Sequence, residues 1–282
     1  MEKLKNNINK NTIWITGTGR SGTTIIGKIL ASFKNTQYFY EPDFLPSLLY
    51  LSNKINKNYF NHLFENYFYI DLIKNGLNNR RINLNRKDDS YFFNSKNQKD
   101  LEIKRNFDIF NYKKEKLPKI IIKLPDFVEQ IFKLKNLFNF KIIYVDRDPL
   151  EVINSMIKKK WWSKNLNRTF PVIEFKKEYY PWWLKRSQYK EWRNLNEYER
   201  CALYIIRIKK SLKSNQKIKI INYADLISDP NKFVKNLSII TRLRPSSKTF
   251  SLIKKIKKRK KTNFEFIKKK INKKTFKKLY SF

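Results

Sequence analysis

The feature that most constrains this chain is a glycine-rich turn between an apolar run and a helical pattern. Residues 17–24 read Gly-Thr-Gly-Arg-Ser-Gly-Thr-Thr; they follow the apolar run 12–17 and open a helix predicted over 22–32. Where a buried strand leads through such a turn into a helix, backbone N–H groups and the helix N-terminus form a nest for an anion. The turn therefore predicts a phosphate-binding loop in an α/β fold.

The side chains of this loop narrow the ligand. Its spacing fits the nucleotide-binding pattern G-x-x-x-x-G-K-[ST], but Thr23 stands where a lysine would reach the β and γ phosphates of ATP. Arg20 keeps a cation inside the loop, and Ser21 and Thr24 add hydroxyl donors to that of Thr23. We expect a phosphate-like ligand other than a simple nucleoside triphosphate, and the alternative is a tight strand-to-helix turn without a ligand.

The rest of the chain alternates between strand and helix patterns. Strands apolar on both faces that alternate with helices indicate a parallel sheet covered on both sides. A strand over 36–40 ends at Glu41-Pro42, and the helix that follows the fourth strand begins with proline, which is favourable in a first turn. The predicted strands are 12–17, 36–40, 119–124, 141–145 and 217–222, and the predicted helices after the first are 127–138, 149–160, a pattern through Leu203, Ile206 and Leu212, and 230–240.

These patterns predict one α/β domain over residues 1–282, a P-loop-containing three-layer fold with a central parallel sheet flanked by helices. Residues 43–117 are predicted as an insertion of irregular helices, a cap on the acceptor side. Residues 161–192 hold five of the six tryptophans, whose rings either stack on sugars or bases or cover a loop. The lysine-rich tail, 248–282, is predicted as a solvated amphipathic helix, with attachment to a membrane surface as the alternative.

Composition limits the class of protein. Sixty-three Lys and Arg against 24 Asp and Glu give a formal charge of +39, which indicates either a polyanion partner or drift in an A+T-rich genome. One cysteine, Cys201, excludes an intramolecular disulfide and favours a reducing interior. Apolar runs are far shorter than the roughly 20 residues that span a bilayer. No signal peptide is recognised either, so we expect a cytoplasmic protein, with membrane contact through the tail as the alternative.

A second motif lies at the end of the fourth predicted strand. Arg147-Asp148-Pro149 follows the strand, and Ser155 comes eight residues after the arginine. Arg147 offers a planar, permanently charged fork, and Ser155, two turns into the next helix, offers a hydroxyl beside it. Together with the loop, this motif resembles sulfotransferases that use 3′-phosphoadenosine-5′-phosphosulfate (PAPS), in which the loop binds the 5′-phosphosulfate and the second motif binds the 3′-phosphate.

Shorter segments extend the resemblance over most of residues 12–240. The segment ending in Glu41-Pro42 is similar to one in Golgi carbohydrate sulfotransferases, and Glu41 lies 21 residues beyond Arg20, a spacing similar to that of the catalytic glutamate in tyrosylprotein sulfotransferases. Lys123-Leu124-Pro125 resembles the family's K-x-P strand end. Tyr223-Ala224-Asp225-Leu226 resembles its Y-E-D-L element, with alanine in place of the glutamate.

The resemblance implies sulfuryl transfer from PAPS to an acceptor hydroxyl, for which we expect a carbohydrate or glycoconjugate. Glu41 would be the general base, and Arg20 and Lys123 would stabilise the sulfuryl and bridging oxygens. No metal is required in this scheme. The donor-binding residues would be Arg20, Ser21, Gly22, Thr23, Thr24, Arg147 and Ser155, with Lys159 adding to the 3′-phosphate site and Tyr223 packing near the adenine.

Two other functions compete with this one. A P-loop kinase or NTPase would use Asp146 to hold magnesium, but the lysine of its loop is missing. A non-enzymatic polyanion or RNA-binding protein would explain the charge, but it would leave both phosphate motifs without a role, and no motif indicates a specific nucleic acid. His62, the single histidine, is interpreted as a structural or exposed residue, and Cys201 as a core residue.

Overall fold

The described residues of the computed structural model are 2–77, 117–163, 172–213, 218–256 and 263–281. Seven strands lie in these ranges: β1 (Thr12–Gly17), β2 (Thr36–Tyr40), β3 (Lys119–Lys123), β4 (Lys141–Asp146), β5 (Val172–Phe175), β6 (Glu178–Pro181) and β7 (Lys219–Asn222). The longer helices before β7 are α1 (Glu2–Asn11), α2 (Thr23–Ala31), α3 (Phe44–Leu51), α4 (Lys57–Glu65), a π-helix (Asn66–Lys74), α5 (Val128–Phe138), α6 (Pro149–Lys158) and α7 (Glu197–Lys213). The helices from β7 onward are α8 (Tyr223–Ser228), α9 (Pro230–Thr241), α10 (Ser247–Lys254), α11 (Glu265–Lys269) and α12 (Lys273–Leu279). Short helices also form at Asn75–Leu77, Arg186–Gln188 and Tyr189–Asn194.

Five strands form a parallel sheet in the order β2-β3-β1-β4-β7. β1 is central and fully buried, as its apolar sequence on both faces predicts. Because all five strands run the same way, their carboxyl ends meet at one edge. Gly17 and Lys123 are the last residues of β1 and β3 there, and Glu41, Arg147 and Tyr223 directly follow β2, β4 and β7. In open sheets of this type, ligands bind at this edge, where the strand order reverses.

Helices cover both faces of the sheet, which confirms the predicted fold class. Successive side chains of one strand point to opposite faces of the sheet. Ile120 and Ile122 belong to one hydrophobic core, whereas Ile121, between them, belongs to the other. The two cores explain why the inner strands read as continuous apolar runs.

The described part of the 43–117 segment, residues 44–77, is helical and packs into the larger core. Phe64 and Phe68 stack with ring centroids 5.3 Å apart, and Phe68 in turn stacks on Trp14 of β1 at 6.3 Å. These helices therefore extend the main domain. Residues 78–116, the remainder of the predicted insertion, lie outside the described residues.

The tail departs from the prediction of one solvated amphipathic helix. Its described residues form α10, α11 and α12; α12 packs on α7, and α11 packs on α6. Ile267, Ile271 and Leu279 are buried in these contacts. Ile267 and Ile271, two of the apolar positions that suggested an amphipathic face, thus point into the protein, whereas Phe266, another of these positions, is 62% exposed. None of the helices in the described ranges has the length and apolar character needed to span a bilayer.

Candidate functional site

The glycine loop joins β1 to α2 at the carboxyl edge of the sheet. The N–H of Ser21 donates to the carbonyl of Thr18 at 3.0 Å, which closes the turn. Gly22 has a φ of +100° at the helix start, in the left-handed region that favours glycine, and a Cβ there would lie 2.3 Å from the ring of Tyr223. No side chain caps α2. Its first N–H groups are therefore available to an anion.

A hydroxyl buried in this loop also points to a ligand. Ser21 has no exposed surface, and its Oγ has no hydrogen-bond partner among the described residues. A buried hydroxyl without a partner is unfavourable by about 1–3 kcal/mol. Thr23, two residues further along the loop, is also buried. A phosphate oxygen at the loop would give the Ser21 hydroxyl an acceptor, so the residues present fit a phosphate-bearing donor.

Two side chains from distant parts of the chain hold the loop at Gly19. Its N–H donates to Asp126 Oδ1 at 2.7 Å and to the Tyr204 hydroxyl at 2.9 Å. The Trp161 ring packs so closely that a Cβ on Gly19 would lie 2.2 Å from it. Sequence reasoning missed Asp126 and Tyr204, and the one local signal was an acid directly after the Lys123-Leu124-Pro125 strand end.

Burial raises the pKa of the Asp126 carboxyl to about 7 from its ordinary value of 3.8. The hydrogen bond from Gly19 acts in the opposite direction, Glu41 raises this pKa, and Lys123 and Arg207 lower it. Desolvation is the dominant effect. Asp126 therefore exchanges a proton near neutral pH while touching the loop.

The structure brings the two predicted phosphate motifs together. Arg20 Nε donates to Ser155 Oγ at 3.1 Å, and Arg147 Nη1 donates to the carbonyl of Arg20 at 2.8 Å. The Arg147 guanidinium also pairs with Glu151 at 2.7 Å and lies over the Tyr223 ring, 4.7 Å from its centroid. A local cap sets this geometry, because Asp148 accepts from the N–H groups of the first turn of α6.

The predicted base and the predicted strand-end cation lie against each other. Lys123 Nζ forms an ion pair with Glu41, and Lys123 also lies over the Tyr40 ring, 4.5 Å from its centroid. The Lys123 side chain is buried, whereas that of Glu41 is 37% exposed. The Glu41 carboxylate is therefore accessible from solvent, and the buried Lys123 ammonium group contacts it from the interior of the protein.

Several residues named from the sequence lie apart from this cluster. Lys159 is exposed at the end of α6, and its side chain makes no hydrogen bond or ion pair to another described site residue. His62 is exposed on α4, with Nε2 3.0 Å from Asn66 Nδ2. Cys201 is buried in α7, where desolvation raises the pKa of its thiol. Within the described ranges, no group of three His, Cys, Asp or Glu residues could hold a metal ion.

The tryptophan-rich segment packs on itself. Trp162 and Trp192 are buried and meet edge-to-face at 5.9 Å. Trp182 stacks on Phe127 with centroids 4.8 Å apart, and Arg207 lies 5.1 Å from the Trp182 ring. Of the two interpretations of these aromatics, the structure therefore favours the covering of a loop over stacking on sugars. Residues 164–171 of this segment lie outside the described residues.

A parallel sheet, a glycine loop at its carboxyl edge and convergent arginines define an α/β protein of the P-loop class that binds a phosphate-bearing donor. A sequence profile described as "Sulfotransferase family" matches residues 12–240. The chain belongs to the sulfotransferase family. This membership confirms the recognition of PAPS-dependent sulfotransferases, the prediction of a sulfotransferase enzyme and PAPS as its co-substrate.

Solved structures with a similar fold include three sulfotransferases. The domain from the Synechococcus PCC 7002 olefin synthase is 15% identical, with 96% of this chain and 94% of that chain covered and a TM-score of 0.48. The domain from the curacin biosynthetic pathway is 15% identical, with 85% and 76% covered and a TM-score of 0.47. Mouse SULT7A1, solved with PAP, is 12% identical, with 90% and 68% covered and a TM-score of 0.43. A search of curated protein sequences gave no match.

Proposed function

We propose that this enzyme transfers the sulfuryl group of PAPS to a hydroxyl of a carbohydrate or glycoconjugate, in a single in-line displacement. The observation that carries the proposal is the meeting of the two phosphate motifs through Arg20, which contacts Ser155 and accepts from Arg147. A donor with phosphates at both its 5′ and 3′ positions fits this arrangement, because the loop and the second motif form two cationic sites that are joined at Arg20. A nucleoside triphosphate would leave the second site unused.

Donor binding is assigned to groups that the loop and α6 hold in place. The N–H groups at the start of α2, with the hydroxyls of Ser21, Thr23 and Thr24, bind the 5′-phosphate. Arg147 and Ser155 bind the 3′-phosphate, for which Arg147 exchanges part of its contact with Glu151. The Tyr223 ring, which covers Gly22 and Arg147, forms a wall beside the nucleoside.

The chemical step requires a base on the acceptor side and cations on the donor side. The acceptor oxygen attacks sulfur and loses its proton to the Glu41 carboxylate, while the bond from sulfur to the bridging oxygen breaks and 3′-phosphoadenosine-5′-phosphate leaves. Arg20 and Lys123 stabilise the charge that develops on the sulfuryl and bridging oxygens. Lys123 pairs with Glu41 in this structure. Sulfuryl oxygens near Lys123 compete for the ammonium group and free Glu41 to accept the proton.

The acceptor side is an open groove of about 980 Å³ whose lining includes Tyr50, Gln130 and Arg207. Asp126 and Phe127 connect the groove to the loop, because Asp126 contacts Gly19 and Phe127 stacks on Trp182 of the lining. The lining combines apolar rings with several charged side chains, and we take these charges to favour a hydrophilic acceptor. This supports the carbohydrate proposal, and we place the reaction in the cytoplasm, in keeping with a single buried thiol.

The test is calorimetric binding of 3′-phosphoadenosine-5′-phosphate (PAP) and of ATP with magnesium, at one stated salt concentration. We expect PAP to bind more tightly, and Arg147→Ala to weaken it by about tenfold to a hundredfold, the range for a lost charge-assisted hydrogen bond. Lys235→Ala, which removes one exposed charge from α9, is the matched control and should leave PAP affinity within about twofold. Preferred binding of ATP, or equal losses in both variants, would refute the proposal.

A further inference from the structure

The groove contains one cation whose surroundings are unlike those of the others. Arg207 of α7 lies inside the groove with its guanidinium 5.1 Å from the Trp182 ring and 5.4 Å from the Trp183 ring. Its guanidinium makes no hydrogen bond or ion pair with any residue that the structure describes. Burial lowers the pKa of this group, since the surrounding indoles exclude water. The charges of Glu129 and Asp126 offset part of this cost, and an anion that binds the guanidinium directly would offset more of it.

The charges around Arg207 reinforce this preference. The lining also holds Lys54, Lys185, Arg186 and Lys210, all exposed at the rim. Among the described lining residues the one carboxylate is Glu129, and it pairs with Lys133 at 3.2 Å. Among the described residues, the groove has an excess of positive charge. Glu129 and Asp126 act on Arg207 electrostatically, but neither forms a hydrogen bond or an ion pair with its guanidinium.

Two neutral polar atoms of the lining indicate which further groups the ligand carries. Trp183 Nε1, a donor, and Gln130 Oε1, an acceptor, are both buried without a hydrogen-bond partner among the described residues. Gln130 is 3% exposed, so the full cost of an unpaired oxygen applies to it. An anionic group satisfies Arg207 and Trp183, and a hydroxyl group satisfies Gln130. A sugar acid carries both kinds of group on one ring.

The groove begins close to the residues assigned to the reaction. Asp126, which contacts the donor loop, is followed by Phe127, which stacks on Trp182. On the other side, Tyr50 of α3, the helix that begins after Glu41-Pro42, meets Trp182 edge-to-face at 5.8 Å. Both segments that carry proposed catalytic residues therefore continue into the walls of the groove. The Asp126 carboxyl also interacts electrostatically with Glu41, Lys123 and Arg207, so the groove's cation and the proposed catalytic residues act on the same buried group.

We propose that the groove binds an acidic carbohydrate, with Arg207 holding a carboxylate of the acceptor near the hydroxyl that receives the sulfuryl group. This inference rests on the proposed function and narrows its substrate class. Arg207 is then a specificity residue. The charged rim attracts polyanions in general, whereas the pairing at Arg207 selects a chain whose acidic group lies close to the reacting sugar.

The test compares a hyaluronan tetrasaccharide with the same tetrasaccharide after its carboxyl groups have been reduced to alcohols. Binding is measured by calorimetry with saturating PAP at about 150 mM salt, where surface charges are largely screened. We expect the acidic form to bind at least about tenfold more tightly. Arg207→Met, which keeps the length and packing of the side chain, should abolish that preference, and Arg207→Lys should retain part of it.

Lys235→Gln removes the same charge from an exposed position on α9 and should preserve the preference. Equal binding of the two tetrasaccharides, binding of neither, or the same loss in Arg207→Met and Lys235→Gln would overturn the inference. PAP affinity, measured on the same samples, verifies that each variant is folded. If the acidic form is preferred but no sulfuryl transfer occurs, the proposed function fails and the groove assignment stands. If sulfuryl transfer occurs without a preference for the acidic form, the proposed function stands and the groove assignment fails.

Discussion

Asp126→Asn tests whether a buried carboxyl controls the stability of the donor loop. The asparagine has nearly the same shape, and its side-chain oxygen can still accept from the Gly19 N–H. What the substitution removes is the negative charge. Because burial raises the pKa of Asp126 from 3.8 to about 7, the charged form is unfavourable in the folded protein.

The direction of this pH dependence follows from the number of protons that Asp126 binds in the folded protein and in the unfolded chain. Between about pH 4 and pH 7, the folded protein keeps a proton on Asp126 that the unfolded chain has released. The free energy of unfolding of the wild type therefore falls as the pH rises through this window. A shift from 3.8 to about 7 corresponds to a total of about 4 kcal/mol, of which about 3 kcal/mol falls between pH 5 and pH 8.

The assay is urea unfolding followed by tryptophan fluorescence at several pH values from 5 to 8. The stability of Asp126→Asn relative to the wild type should increase by about 3 kcal/mol across this range. Asp225→Asn, an exposed position on α8, controls for the loss of one carboxylate and should show a constant difference. A constant difference for Asp126→Asn as well, or a variant that becomes less stable toward pH 8, would refute the reasoning.

Three further predictions concern the donor site and the base. Glu41→Gln should abolish sulfuryl transfer and leave PAP affinity within about twofold, because Glu41 acts on the acceptor; retained turnover, measured with a labelled donor, would contradict its role. Gly22→Ala should lower the free energy of unfolding by about 1–3 kcal/mol and weaken PAP binding, since φ is +100° and the new Cβ meets the Tyr223 ring; urea unfolding and calorimetry check both effects. Glu151→Gln releases Arg147 from its ion pair and should tighten PAP binding severalfold, whereas weaker binding would show that the pair positions Arg147 for its ligand.

The sheet could be predicted from the sequence because each inner strand is apolar on both faces and ends at a polar or glycine residue. The observed bounds of β1, Thr12–Gly17, coincide with the predicted run, and β3 and β4 differ from theirs by one residue at one end. The phosphate motifs were accessible for the same reason, since each directly follows one of these strands. Local sequence contains both the strand and the residues that its end presents.

Contacts between distant segments could not be predicted from the sequence in this way. Gly19 is separated from Asp126 by 107 positions and from Tyr204 by 185, and no local pattern marks either residue as its partner. The pairing of Lys123 with Glu41 depends on β2 and β3 being neighbours in the sheet. The tryptophans left two interpretations open, because composition reports aromatic rings without showing which ring faces are already covered.

Burial separates two kinds of positive charge in this enzyme. In the described ranges the buried basic side chains are Lys123, Arg147, Arg200 and Lys209. Arg200 donates to backbone carbonyls, including that of Trp192 at 3.0 Å, and Lys209 lies 3.7 Å from Asp146, so both hold the fold together. Lys123 and Arg147 lie instead in the donor site.

A buried cation needs a partner at hydrogen-bonding or ion-pair distance, because such a partner offsets its lost hydration. An exposed lysine is under no such demand and can accumulate by compositional drift. The formal charge of +39 therefore includes two kinds of cation, exposed and buried. The exposed lysines give a general, salt-screened attraction for anions, and the discrimination between one anion and another falls to the few cations that the fold holds out of water.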